Sequence, residues 1–366
     1  MDTAKIKTSK KNIVPIVVLV AIIIAGTFAV LFSRTKNADD IIPKANVNNL
    51  PVISKSVPEL DTSLGWLNTE GVTKDKLDSS VVIYDFWTYS CVNCQRTIPY
   101  LQAIYDRYEK DGLIIVGVHS PEFDFEKVHS NVEDATNKYK VNWPVLFDDD
   151  MKNWDKFENR FWPAKYITDK KGQLRYSHFG EGRYDETEDI VRKLLDIKDG
   201  EPRAKFPGEN GETSQAKITP ELYLNPIRGT SNAKAGKQEI EKVVIPELNN
   251  VTYFGSISTQ AQRTILVKPD AKLLLNYQAA EVNLVAENLD KDTKMISKLK
   301  VELDGKPIPS GVRGKAIKID EEGNTYVEVT TADLLNIIDA DKVNKGILTF
   351  TALQPRIALY SFTFGA

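Results

Sequence analysis

Residues 81–112 read VVIYDFWTYSCVNCQRTIPYLQAIYDRYEKDG, and their patterning decides the fold of the region around them. Residues 81–86 form a short, β-branched, apolar run, the pattern of a strand buried on both faces. After the cysteines, Ile98, Leu101, Ile104, Tyr105 and Tyr108 recur at helical spacing, and Gly112 supplies a C-cap. Residues 113–118 (LIIVGV) predict a second buried strand.

Outward from this βαβ unit the pattern continues. A helix is expected over 125–140, a short strand over 144–147 and a short helix over 151–158. A hairpin is expected over 164–168 and 174–179, turning at Lys171-Gly172, and a closing helix over 187–197. Strands alternating with helices, then an antiparallel pair, predict an α/β sandwich with a mixed sheet flanked by helices.

Cys91-Val92-Asn93-Cys94 falls where the first strand gives way to its helix. A C-x-x-C pair beside a βα unit is a redox pattern. Two unrelated buried cysteines are the bland alternative. A metal site needs further Cys or His ligands, and none flanks the pair. A helix N-terminus brings unpaired N–H groups and a partial positive charge to the first cysteine, where a thiolate is the attacking species. Cys91 is therefore the expected nucleophile. Cys94, one turn further in, is the expected resolving thiol.

The segment from Asp85 to Cys94 resembles the active-site segment of thioredoxins in their TlpA-like, exported form, with Trp87 four residues before the first cysteine. Arg96 and Pro99 fit the same pattern. Gly65–Thr69, Val118–Phe123 and Tyr176–Gly182 resemble the C-terminal periplasmic part of DipZ-type proteins, as does Thr219–Leu224 at the start of that group's extra β domain.

The resemblance implies a thioredoxin fold and roles for four further residues. Asp85 takes the position of a buried carboxylate that exchanges a proton with the resolving cysteine. Desolvation beneath a βα turn raises a carboxyl toward the range useful for proton transfer. Pro163, in Phe161-Trp162-Pro163-Ala164, takes the position of the cis-proline that faces the cysteines. Trp162 before it offers backbone hydrogen bonds to a substrate, although a smaller residue is common there. Trp87 is a third candidate substrate contact. No cofactor and no metal is implied.

Composition sets the outer limits. The chain has 366 residues, 42% hydrophobic and 27% charged, which excludes a disordered, collagen-like or polytopic membrane protein. A net charge of −3 gives no basic field for nucleic acid. Both cysteines, all three histidines and all five tryptophans lie between 58 and 200, so the reactive residue types share one stretch.

Residues 13–32 carry no charge and are long enough to span a bilayer core of about 30 Å. Lys5, Lys7, Lys10 and Lys11 precede them, which predicts a single transmembrane helix with residues 1–12 cytoplasmic and the remainder extracytoplasmic. A cleaved signal peptide is the rival, but no A-x-A pattern follows. Residues 33–57 read as a tether, 58–199 as the thioredoxin-like domain, 200–217 as a polar linker and 218–366 as a β domain.

Strands in the last domain are expected at 242–245, 265–268, 273–287, 299–303, 315–319, 325–330, 347–353 and 357–364, with a short helix over 331–340. About eight strands predict a sandwich or jelly roll. The DipZ-type resemblance implies a shape like that of carbohydrate-binding modules. This domain has no tryptophan, leaving Tyr223, Tyr253, Tyr277 and Tyr326 as candidate glycan platforms.

The expectation is a membrane-anchored, extracytoplasmic thiol–disulfide oxidoreductase reducing disulfides of exported proteins. Its partners would be protein disulfides, a separate membrane electron donor and, at the β domain, a glycan. The alternatives are a disulfide oxidase or isomerase, a thiol peroxidase (Thr88 stands three residues before Cys91) and a cell-surface glycan or protein binder with an inert disulfide.

Overall fold

The computed structural model describes residues 44–207, 217–229, 234–290 and 296–366. The expected span at 13–32 lies outside these. Among the described residues no helix is long and apolar enough to cross a membrane.

The first part of the chain runs β1 (Trp66–Leu67), α1 (Lys74–Asp78), β2 (Val81–Trp87), α2 (Val92–Tyr108), β3 (Leu113–His119), α3 (His129–Lys138), β4 (Val145–Phe147), α4 (Lys152–Lys156), β5 (Ala164–Thr168), β6 (Leu174–Phe179) and α5 (Tyr184–Leu195). The strands form one mixed sheet in the order β1-β4-β3-β2-β5-β6. β2, β3 and β4 are parallel, and β5 and β6 are antiparallel to them. This is the mixed sheet flanked by helices that the sequence predicts.

Every residue of β2 is buried, because helices cover both faces of the sheet centre. Side chains alternate along the strand. Val81, Ile83 and Trp87 join Ile98, Leu101 and Ile104 of α2 in one core cluster. Val82, Tyr84 and Phe86 face the other way, against Phe157 and Tyr166. Asp85 shares the parity of Val81, Ile83 and Trp87, so its carboxyl points into the α2 side. Gly117 of β3 has a packing reason: a Cβ there would meet Trp143 Nε1 at 2.9 Å and Trp87 Nε1 at 3.0 Å.

The second part runs β7 (Leu222–Tyr223), β8 (Gly236–Ile240), β9 (Asn250–Thr259), β10 (Thr264–Leu266), β11 (Lys272–Asn288), β12 (Ser297–Leu303), β13 (Lys306–Pro307), β14 (Lys318–Ile319), β15 (Thr325–Val329), β16 (Asp333–Ala352) and β17 (Ile357–Gly365). One edge of β11 pairs with β16. The other pairs first with β9 and then with β17. β10 joins β17 back to β9, so hydrogen bonding closes a circuit through β9, β11, β17 and β10. A sheet folded on itself in this way encloses its own apolar core.

Three expectations for this part need correction. Residues 331–340 contain no helix: Leu334, Leu335, Ile337 and Ile338 have helical spacing, but pairing along β11 holds them in β16. Residues 242–245 form no strand, and Val243, Val244 and Ile245 are 49%, 54% and 59% exposed. β8 and β9 were not expected, since Gly, Ser and Thr break the apolar pattern there.

The two sheets share a continuous core. Tyr360 of β17 is buried against Phe123 and Phe125, with ring centroids 5.1 and 4.8 Å away. Glu122 accepts hydrogen bonds from Tyr223 Oη (2.5 Å) and an Arg228 Nη (2.8 Å). Arg96 of α2 bonds to both Glu181 and Glu281 of β11.

Candidate active site

Cys91 is the N-cap of α2. Its sulfur accepts a hydrogen bond from the Cys94 N–H at 3.2 Å, one of the donors that a helix start leaves unpaired. The Cys94 thiol points at the same sulfur, 2.6 Å away. Cys91 is partly exposed and Cys94 buried, so only Cys91 can meet an incoming disulfide first. Burial pushes the Cys94 thiol up, helped by its hydrogen bond to Cys91 and by the charges of Cys91 and Asp85. Cys94 therefore keeps its proton until a base removes it.

Asp85 is 2% exposed, and its Oδ1 has no hydrogen-bond partner. Burial raises its carboxyl to about 6, and Lys165 on β5 works in the opposite direction. A buried carboxyl without a full set of partners, titrating near neutrality beside a buried thiol, suits proton exchange.

The Trp162–Pro163 peptide bond is cis. Trp162 Nε1 donates to Ser120 O at 2.9 Å, and its ring lies 4.1 Å from that of Trp154. Trp162 and Cys91 line the same cleft, of about 260 Å³. Trp87 is a correction: it is 1% exposed, so it lies beneath the site and has no surface to offer a substrate. It packs edge-on to His119 at 5.2 Å.

Thr88 is fully buried, and its hydroxyl lies 3.5 Å from His119 Nε2. It does not line the cleft. Among the four candidate glycan platforms, Tyr253 and Tyr277 are 4% and 0% exposed. Tyr223 is bonded to Glu122 between the sheets, and Tyr326 is half-buried under Lys298. None presents an open aromatic face, because the strand alternation turns most of these rings inward.

Two residues escaped sequence reasoning. Glu126 is completely buried, and its carboxylate accepts from Ser90 Oγ (2.6 Å), Ser90 N (3.3 Å), Glu122 N (2.6 Å) and Phe123 N (2.9 Å). It clamps the turn just before Cys91 to the loop that reaches the β domain. Glu221 lines the cleft opposite Cys91. The bonds of Glu126 to Glu122 and Phe123 are local, but its reach to Ser90 and the place of Glu221 in the cleft join residues distant in the chain and carry no local signal.

Comparison with known proteins follows this division. Residues 53–177 match the AhpC/TSA family, and residues 219–365 match a thioredoxin like C-terminal domain. The chain is similar to protein DipZ of Mycobacterium bovis, 34% identical over 71% of this chain and 38% of DipZ. It is similar to human NHL repeat-containing protein 2, 34% identical over 51% of this chain and 25% of that protein. It is also similar to the thiol-disulfide oxidoreductase YkuV of Bacillus subtilis, 29% identical over 39% of this chain and 96% of YkuV. The chain spans less than half the length of the first two.

Proposed function

We propose that the chain, which is similar to protein DipZ and to the thiol-disulfide oxidoreductase YkuV and matches the AhpC/TSA family over residues 53–177, is a thiol–disulfide oxidoreductase that reduces disulfides in exported proteins. The observation that carries this reading is a partly exposed Cys91 at the helix start, backed by the buried Cys94 thiol and the buried Asp85 carboxyl.

The Cys91 thiolate attacks one sulfur of a substrate disulfide. The substrate S–S bond breaks, and the departing sulfur leaves as a thiolate that takes a proton from solvent. Cys94 then loses its proton to Asp85 and attacks the Cys91 sulfur of the mixed disulfide. The second substrate sulfur leaves and is protonated. Two electrons pass to the substrate, and Cys91 and Cys94 are left joined. A dithiol donor must reduce that bond before the next cycle. The donor proposed is a separate membrane protein, in keeping with the apolar stretch at 13–32 and an extracytoplasmic active site.

An insulin-reduction assay tests the chemistry. Wild type should turn over, Cys91→Ser should be inactive, and Cys94→Ser should accumulate the mixed disulfide. Equal turnover by wild type and Cys91→Ser would overturn the mechanism. Titration against glutathione tests the direction: a potential near the strongly oxidising end would make the protein an oxidase.

The AhpC/TSA match favours one second reading, a thiol peroxidase. Thr88 faces His119 and not the cleft, which speaks against it. Consumption of hydrogen peroxide at a rate exceeding insulin reduction would establish it.

A further inference from the structure

The cleft over Cys91 has walls from both sheets. One wall is Trp162 and the Ser90–Asn93 turn. The other is the β domain, with Thr219, Glu221 and Phe364. Hydrogen bonds fix the second wall in place. Thr219 N donates to Gln278 O at 2.8 Å, and its hydroxyl bonds to Asn249 Oδ1 at 2.7 Å. Leu222 and Tyr223 are paired to β17 as β7. A disulfide reaching Cys91 therefore passes a preformed β-domain surface and not only the cis-proline side.

Charge on that wall is uneven. Glu221 is the one ionisable side chain that the β domain contributes to the cleft lining. Arg228, the cation that acts on it, is engaged with Glu122. Glu221 is exposed and shares the cleft with the apolar surface of Trp162 and Phe364. A cleft carrying charge of one sign draws in an incoming cation.

Resting on the oxidoreductase reading, we infer that the β domain is part of the disulfide-binding site and that Glu221 selects disulfides carrying a positive charge close to the reacting sulfur. In a protein substrate this is a cysteine flanked by Lys or Arg.

Reduction of three small disulfides by the full chain tests this. They are cystamine (cationic), 3,3′-dithiodipropionate (anionic) and 2-hydroxyethyl disulfide (neutral). Each rate is divided by the neutral rate and by the same ratio for dithiothreitol, which removes intrinsic reactivity. Desolvation and then the Glu122 charge raise the Glu221 carboxyl to about 7, against Tyr223 and Arg228, so the assay runs at pH 8.

Wild type should favour cystamine over the anion about tenfold at low salt, falling as ionic strength rises. Glu221→Gln should lose most of that preference, and Glu221→Lys should reverse it. An unchanged ratio in both variants overturns the inference while leaving the oxidoreductase reading intact. No reduction of 2-hydroxyethyl disulfide by wild type overturns the oxidoreductase reading itself.

Discussion

Asp85 on β2 stands directly opposite Lys165 on β5, and both side chains are closed off from solvent. The lysine eases the ionisation of the carboxyl without cancelling the effect of burial. A buried acid held near neutrality thus lies close enough to the Cys94 thiol for its charge to push that thiol up.

Replacing Asp85 by Asn separates its two effects. Its carboxyl rises from 3.8 to about 6 on folding. The folded state then holds more protons than the unfolded state between those values, so stability falls as pH rises through this window. Above about pH 6 the full penalty is present, about 3 kcal/mol by linkage. Asp85→Asn should raise stability by up to about 3 kcal/mol at pH 8 in urea unfolding. The same change should slow resolution of the mixed disulfide about 100-fold and remove its inflection near pH 6. An unchanged resolution rate would exclude Asp85 as the proton acceptor.

Glu126 should be as important to the shape of the site as the cysteines are to its chemistry. Its carboxylate accepts four hydrogen bonds, two from Ser90 beside Cys91. Glu126→Ala strands those donors in a dry interior and should cost about 3 kcal/mol or more. Glu126→Gln keeps the shape and part of the acceptor set, so it should cost less and retain most insulin turnover. Urea midpoints at constant m distinguish the two; equal losses would mean that Glu126 fills space and does not organise the turn.

The legible parts of this chain are those where one signal dominates. β2, α2 and β3 follow from continuous apolar runs and a helical stripe, and the two cysteines from their spacing. Residues 333–340 of β16 have the spacing of a helix, and only long-range pairing with β11 makes them a strand. The motif position of Trp87 carries no information on depth, so the sequence alone does not show that it is buried. Glu126 and Glu221 depend on contacts made across the fold, which a single sequence does not display.

Tyr360 tests whether the two sheets behave as one folding unit. Its ring packs edge-on against both Phe123 and Phe125, and its hydroxyl meets Arg263 (2.8 Å) and Glu287. The surrounding cluster joins residues of both sheets. Calorimetry on wild type should show one transition whose van't Hoff and calorimetric enthalpies agree. Tyr360→Ala should remove about 3–5 kcal/mol and split the transition in two. Two transitions already present in wild type would show that the shared core does not couple the sheets.

Acid stability gives the last prediction, because two buried groups oppose Asp85. His119 and His178 are 0% and 5% exposed. Burial lowers each from 6.5 to about 3, with Lys165 adding to the effect at His178. Between those values the folded state binds fewer protons than the unfolded state, so stability rises with pH through the window and is lost as pH falls from 6.5. At pH 4 each histidine removes about 3 kcal/mol relative to neutral pH. Protonation of Asp85 returns about 2 kcal/mol over the same range, and the raised carboxyls of Glu126, Asp148 and Glu181 act in the same direction as Asp85. His119→Gln should therefore remove about 3 kcal/mol of the acid-induced loss between pH 6.5 and 4, read as a shallower fall of the urea midpoint than in wild type. Identical pH dependence in wild type and His119→Gln would mean that this imidazole is charged or hydrated in the folded protein.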